Sequence, residues 1–226
     1  MDRTRGEEVD SARREIVRAC RSLFQRGLAG GSSGNISIRT GSVFLATPTG
    51  ISFGDLEESD IPLLDESGFI LSGKKPSKEM PFHLAWYRTN PGHHSVVHLH
   101  SPFATAISCL KGLDPGNAIP PLTPYQVMKI GRLPLLPYER PGSQSIADHI
   151  AGTASGMKAV LLSNHGPVCG GVNLKAALDT MDEVESTCRL FLLLGGRQVR
   201  FLTEDEVRDL AEGGSRDGNS SGLHCR

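Results

Sequence analysis

Apolar residues recur along this chain with two periods, and the switches between them predict its elements. From Ser11 to about Arg26, residues Ile16, Val17, Cys20, Leu23 and Phe24 share one helical face, and Gly27 ends the run. After Gly30-Gly31-Ser32-Ser33-Gly34 the period falls to two: Asn35–Arg39 and Ser42–Ala46 flank Thr40-Gly41 and predict a hairpin. Thr47-Pro48-Thr49-Gly50 then forms a turn, and further strands are expected at Phe69-Ile70-Leu71, Ser95–His100, Ala159–Leu162 and Val168-Cys169. Helical spacing returns at Ser77–Arg88, with Met80, Leu84 and Tyr87 in line, and again from Ser101 to Leu110, where Ser101 stands as N-cap before Pro102. Ser143–Ala154 and Leu174–Leu194 predict two more helices, and Thr203-x-x-Glu206 is a capping box that opens a last one. Residues 113–142 are proline-rich and read as a long irregular connection, a kind usually tied to function or to an interface.

The 226 residues show no internal shift in composition, so a single domain is expected over residues 1–212, followed by a disordered tail over 213–226. The formal charge of −1 supplies no broad basic field for nucleic acid or an anionic membrane, so an anionic ligand must be held locally. No apolar run is long enough to span a bilayer and the charged start lacks a signal-peptide core, which predicts a soluble cytoplasmic protein. Five scattered cysteines without a CxxC pair suggest neither a disulfide framework nor a zinc finger.

The chemistry concentrates in His98-Leu99-His100. On an extended segment the two imidazoles project to one side while Leu99 packs on the other, so both can reach one metal ion. An HxH pair on an apolar strand also arises by chance, but His165 sits in a turn just after a buried strand, where functional side chains collect. With Glu79 added, the set is N3O, suited to Zn2+ or to a similar ion such as Mn2+ or Co2+. His93, His94, His149 and His224 are read as surface groups. Pro76-Ser77-Lys78-Glu79 offers a helix start, a hydroxyl and an ammonium group together, and Gly34-Asn35 and Thr49-Gly50 are small turns whose N–H groups can close on phosphate oxygens.

In order, Gly34-Asn35-Ile36-Ser37, Thr47-Pro48-Thr49-Gly50, Pro76-Ser77-Lys78-Glu79, His98-Leu99-His100 and Asn164-His165-Gly166 resemble the class II aldolase/adducin family over roughly residues 12–210. The resemblance implies an α/β fold, a three-layer αβα sandwich with a central, mainly antiparallel sheet, assembled as a homotetramer with active sites between subunits. It also implies that His98, His100 and His165 hold zinc. Glu79 would ligate the resting metal and act as acid or base, and Gly34, Asn35, Thr49, Gly50 and Ser77 would line a phosphate pocket. Tyr125 matches a tyrosine supplied by a neighbouring subunit. The reaction implied is a lyase step on a phosphorylated small molecule through a metal-stabilised enediolate. Lys78, which adds charge to the phosphate pocket, and Lys129, placed to meet a carboxylate, favour decarboxylation of a 3-oxo-tetronate 4-phosphate. Aldol cleavage of L-fuculose 1-phosphate is the alternative, with epimerisation or a metal-free structural module further behind.

Overall fold

A computed structural model describes residues 3–213. Helix α1 (Arg3–Gln25) leads into the hairpin of β1 (Asn35–Thr40) and β2 (Val43–Ala46), with Thr40 paired to Val43. A single turn of 3-10 helix (Glu58–Asp60) precedes β3 (Leu63–Leu64) and β4 (Ile70–Ser72), and α2 (Met80–Thr89) then leads to β5 (Ser95–His98). There follow α3 (Pro102–Ser108), α4 (Pro124–Lys129), β6 (Leu135–Leu136), α5 (Gln144–Thr153), β7 (Ala159–Leu162), β8 (Gly166–Gly171), α6 (Leu174–Leu194) and α7 (Glu204–Gly213). The strands form one eight-stranded sheet in the order β4-β3-β2-β1-β5-β8-β7-β6. All neighbours are antiparallel except β6 and β7.

Period-two alternation divides the buried residues between two layers. Val43, Leu45, Val97 and Leu161 face one side and pack with Ile16, Cys20 and Leu23 of α1 and Met181, Val184 and Cys188 of α6. Their strand neighbours Phe44, Ala46, Val96 and Val160 face the other, against Phe82 and Trp86 of α2 and Ile146 and Ile150 of α5. The result is the expected αβα sandwich, with both faces of the central strands buried.

Several boundaries differ from the sequence expectation, each for a local reason. Helix α1 begins at Arg3 because Val9 and Ala12 carry its inward face back into a polar stretch that shows no periodicity of its own. Strand β5 ends at His98 because its partner β1 begins at Asn35, directly opposite, so His100 lies beyond the ladder. Helix α2 begins at Met80, since Met80 N–H closes a turn on the Ser77 carbonyl, and Glu79 therefore holds the cap position rather than the first turn. Helix α3 stops at Ser108, where the N–H groups of Cys109 and Leu110 tighten to bonds three residues back. Within 113–142 the chain is not wholly irregular, since it contains α4 and β6. The proposed tail from Gly213 lies, apart from that first residue, outside the described residues.

Candidate metal centre and phosphate corner

The candidate centre forms where three central strands meet the start of α2. His98 closes β5, His100 follows two residues on, His165 precedes β8, and Glu79 caps α2. Two glycines let the chain close around this point. A methyl group on Gly166 would stand 2.3 Å from the Leu99 carbonyl oxygen, and one on Gly34, at φ +81°, would stand 3.0 Å from that of His98.

One ligand atom from each of Glu79, His98, His100 and His165 lies within 4.8 Å of the other three. His98 Nε2 is 3.2 Å from His100 Nε2 and 3.5 Å from Glu79 Oε2, while His165 Nε2 is 3.4 Å from Glu79 Oε1. Four N or O donors around one zinc ion stand ~3.3 Å apart, the edge of a tetrahedron with ~2.0–2.1 Å arms. His98 Nδ1–H donates to the Pro167 carbonyl at 2.9 Å, which leaves the Nε2 lone pair facing the other donors.

The electrostatics give the same answer. Burial, with His165 and His100 nearby, drives His98 well below the ordinary imidazole pKa. Burial also lowers His100 and His165, and the Lys78 ammonium pushes both in the same direction, against the opposing pull of Glu79. At neutral pH the three rings are therefore neutral and have lone pairs to give. Glu79 is only 5% exposed, and its Oε1 and both ring nitrogens of His165 are buried without a hydrogen-bond partner. A buried carboxylate held by so few donors costs several kcal/mol unless a cation compensates it. The donor set fits a divalent ion.

Residues 14–192 match the Class II Aldolase and Adducin N-terminal domain family. This chain belongs to that family. Among class II aldolase-family proteins it is similar to the 3-oxo-tetronate 4-phosphate decarboxylase of Pectobacterium atrosepticum, 48% identical over 201 residues that cover 88% of this chain and 92% of the relative. It is 36% identical to the L-fuculose phosphate aldolase of Escherichia coli over 209 residues, 91% of this chain and 94% of that one. The crystal structure of YgbL from Escherichia coli superposes with a TM-score of 0.87 at 47% identity, covering 89% of this chain and 98% of the other.

The class II aldolase fold also gathers most of the expected phosphate residues. The turn 47–50 is tied to 75–77 by Thr49 N–H to the Lys75 carbonyl at 3.0 Å and Ser77 N–H to the Thr47 carbonyl at 3.1 Å, which sets Thr49 and Gly50 beside Ser77 and Lys78. Gly34 and Asn35 adjoin His98. Much of this corner's hydrogen bonding is already committed. Asn35 spends its side chain on Glu79 and His83, while the N–H groups of Glu79, Met80 and Phe82 are bonded to Ser77 Oγ, Ser77 O and Glu79 O, and Pro81 has none. The exposed Lys78 ammonium is thus the main unspent positive group at this helix start.

Tyr125 and Lys129 are not brought to the cluster within the chain. Both lie on α4, with the Lys129 ammonium 5.6 Å over the Tyr125 ring. Lys129 lines a cavity of about 330 Å³ with His93, Lys158 and Gly170, near the end of β8 away from His165. Six residues of strand place the two ends ~16 Å apart.

Sequence reasoning passed over two groups that support the centre. Glu185, on the buried side of α6, accepts from Ser101 Oγ, Phe103 N–H and Ala104 N–H at 2.7–2.9 Å, so the cap of α3 comes from another helix and not from Ser101 itself. The available signal was an acid four residues after buried Met181 on an apolar helical face. His83 is the other. It is buried between Asn35 and Ser37, and its signal was its place four residues after Glu79 on the same helix side. His93, expected at the surface, is half-buried and accepts from the Trp86 indole at 3.0 Å.

The buried histidines make the metal-free fold acid-sensitive. Burial pushes His83 down to about 3, whereas the unfolded chain binds that proton near pH 6.5. Between those values the unfolded state holds more protons, so stability falls as pH drops below 6.5 and is regained above it. His83 alone accounts for about 2 kcal/mol between pH 7 and pH 5 at ~1.4 kcal/mol per pH unit. Urea unfolding of chelated protein at the two pH values is expected to show at least this loss, with His98, His100 and His165 adding to it; equal midpoints would show that the buried rings ionise freely.

Proposed function

We propose that this chain is a divalent-metal-dependent carbon–carbon lyase that decarboxylates a 3-oxo-tetronate 4-phosphate to dihydroxyacetone phosphate and carbon dioxide, with Zn2+ as its metal. The observation that carries this reading is the Lys78 ammonium beside a three-histidine, one-carboxylate donor set. The 48% identity to a relative of that name supports it. His98, His100, His165 and Glu79 would hold the ion, which supplies Lewis-acid polarisation of the substrate ketone when bound. Lys78, Ser77 and the turns at Gly34-Asn35 and Thr49-Gly50 hold the phosphate, which fixes the ketone carbon relative to Glu79. Cleavage releases C1 as carbon dioxide and leaves its electron pair as an enediolate over C2 and C3. A proton drawn from solvent water reaches C2 by way of Glu79, through its unpartnered Oε1 directly or through a bridging water, and completes the product.

Aldol cleavage would leave the same enediolate with an aldehyde as the departing partner, and the 36% identity to an L-fuculose phosphate aldolase keeps it as the second reading. We further propose a cytoplasmic homotetramer of single-domain subunits in which Tyr125 and Lys129 serve a neighbour's site. The supporting observations are the strong exposure of Tyr125 and the exposed Phe69, Ile70 and Leu71 along the edge strand β4.

Purified protein assayed with both phosphates decides between the reactions. Carbon dioxide and dihydroxyacetone phosphate are expected from the tetronate, and turnover of L-fuculose 1-phosphate alone would overturn the assignment. Lys78→Ser is expected to raise KM by ~10–100-fold, the worth of a charge-assisted hydrogen bond, with kcat little changed. A fall confined to kcat would move Lys78 from binding into the chemistry.

A further inference from the structure

A buried polar string runs from α2 through β1 to the candidate acid, and the reaction proposed above makes no use of most of it. Glu79 Oε2 accepts from Asn35 Nδ2 at 2.8 Å, Asn35 Oδ1 faces His83 Nε2 at 2.5 Å, and His83 Nδ1 faces Ser37 Oγ at 2.8 Å. Ser37 meets the Tyr87 hydroxyl twice, at 2.8 Å through Oγ and at 2.9 Å through its carbonyl. Asn35, Ser37, His83 and Tyr87 are all buried.

The string has one consistent direction. A carboxylate only accepts, so Asn35 must turn its amide nitrogen to Glu79 and its oxygen to His83. His83 must then carry its proton on Nε2 and accept from the Ser37 hydroxyl at Nδ1. Ser37 Oγ, having donated, accepts from Tyr87 or leaves that hydroxyl to the Ser37 carbonyl. Phe82 holds the ring plane, stacking on His83 at 4.8 Å and meeting His98 edge-on at 5.4 Å. Each bond of the string then has one donor and one acceptor, and the string ends on Oε2. Oε1, which faces His165, receives none.

We propose that His83 is a positioning residue for Glu79: by fixing the amide of Asn35 it gives Oε2, beside His98, a donor and leaves Oε1, beside His165, without one. This deepens the proposed reaction and rests on Glu79 acting there as acid or base. With its pKa pressed to about 3 by burial, His83 stays neutral and orients Glu79 without taking up the proton.

The test uses two substitutions that each keep half of the imidazole. In His83→Gln the amide nitrogen falls near the place of Nε2 and still donates to Asn35. In His83→Asn the amide oxygen falls near Nδ1 and accepts from Ser37 as the ring does, and the bond to Asn35 is lost. The Asn variant is expected to lose kcat by ~30-fold with KM within ~3-fold, and the Gln variant to recover to within ~5-fold of the wild type, since removing a transition-state contact lowers kcat selectively. Equal kcat in the two variants, or losses that follow Tm alone, would overturn the proposal. Nitrogen-15 NMR of histidine-labelled full-length protein provides a readout that needs no substrate. His83 is expected as the Nε2–H tautomer, and Glu79→Gln, whose side chain can donate as well as accept, is expected to admit the other. An Nδ1–H tautomer in the wild type would overturn the proposal even if the decarboxylase assignment stood. The expected tautomer in a protein inactive on both phosphates would leave the string's polarity intact and place the error in the reaction.

Discussion

His100→Ala is expected to remove bound divalent metal and at least ~10³-fold of kcat/KM together, about 4 kcal/mol of transition-state stabilisation, while leaving the melting temperature of the chelated protein within a few degrees of wild type. The separation of these effects follows from position. His98 is fully buried against Phe82, so its truncation would also open a cavity costing ~2–3 kcal/mol, and lost activity would be confounded with lost fold. His100 lies past the end of β5 on the exposed side of the cluster, with only its ring touching His98 and His165. Its ligand atom can be deleted with little damage to the packing. Metal analysis after gel filtration, paired with kinetics and calorimetry, reads all three quantities. Stoichiometric metal in this variant would remove His100 from the donor set.

Glu79→Gln is expected to lower kcat by ~10²–10⁴-fold with KM nearly unchanged, the range for loss of one general acid or base. The same substitution is expected to raise the stability of the chelated protein, by ~1–2 kcal/mol, because it removes a charge that is buried with one oxygen unsolvated and only Asn35 donating to the other. Glutamine keeps the acceptor that Asn35 needs. A variant that loses both turnover and stability would mean that the carboxylate is held by favourable contacts in the folded protein, contrary to the cost argued from its burial. Unchanged kcat would end its role as the proton carrier.

The layers of this fold were legible because alternation is a strong signal where both sheet faces are buried. Val43-Phe44-Leu45-Ala46 sends successive side chains to opposite cores, and Leu174–Leu194 has matching bounds in sequence and structure. Short or polar elements were not legible. Two-residue β3 and the first turns of α1 leave no period to read. At the site, metal-binding residue types announce themselves, and the candidate ligands Glu79, His98, His100 and His165 stand out by residue type and local setting. Support was harder to see. Glu185 and His83 act through helices crossing strands, and no spacing rule connects residue 185 to 103 or residue 83 to 35. Lys129 was legible as a charge but not as a place, since within its own chain it lies at the end of β8 away from the cluster.

The strand order also bears on when the centre can exist. Asn35, His98 and Val168 lie in one row across β1, β5 and β8, yet neighbours in that row are more than sixty residues apart along the chain. Pairings of such range are closed late, after local hairpins and helices have formed, because the loop entropy must be met first. An ion that needs all three strands has nothing to bind in the nascent chain or in an early intermediate. Its hold would be added after the folding barrier, so loading with metal is expected to slow escape from the native state and to leave the rate of reaching it unchanged.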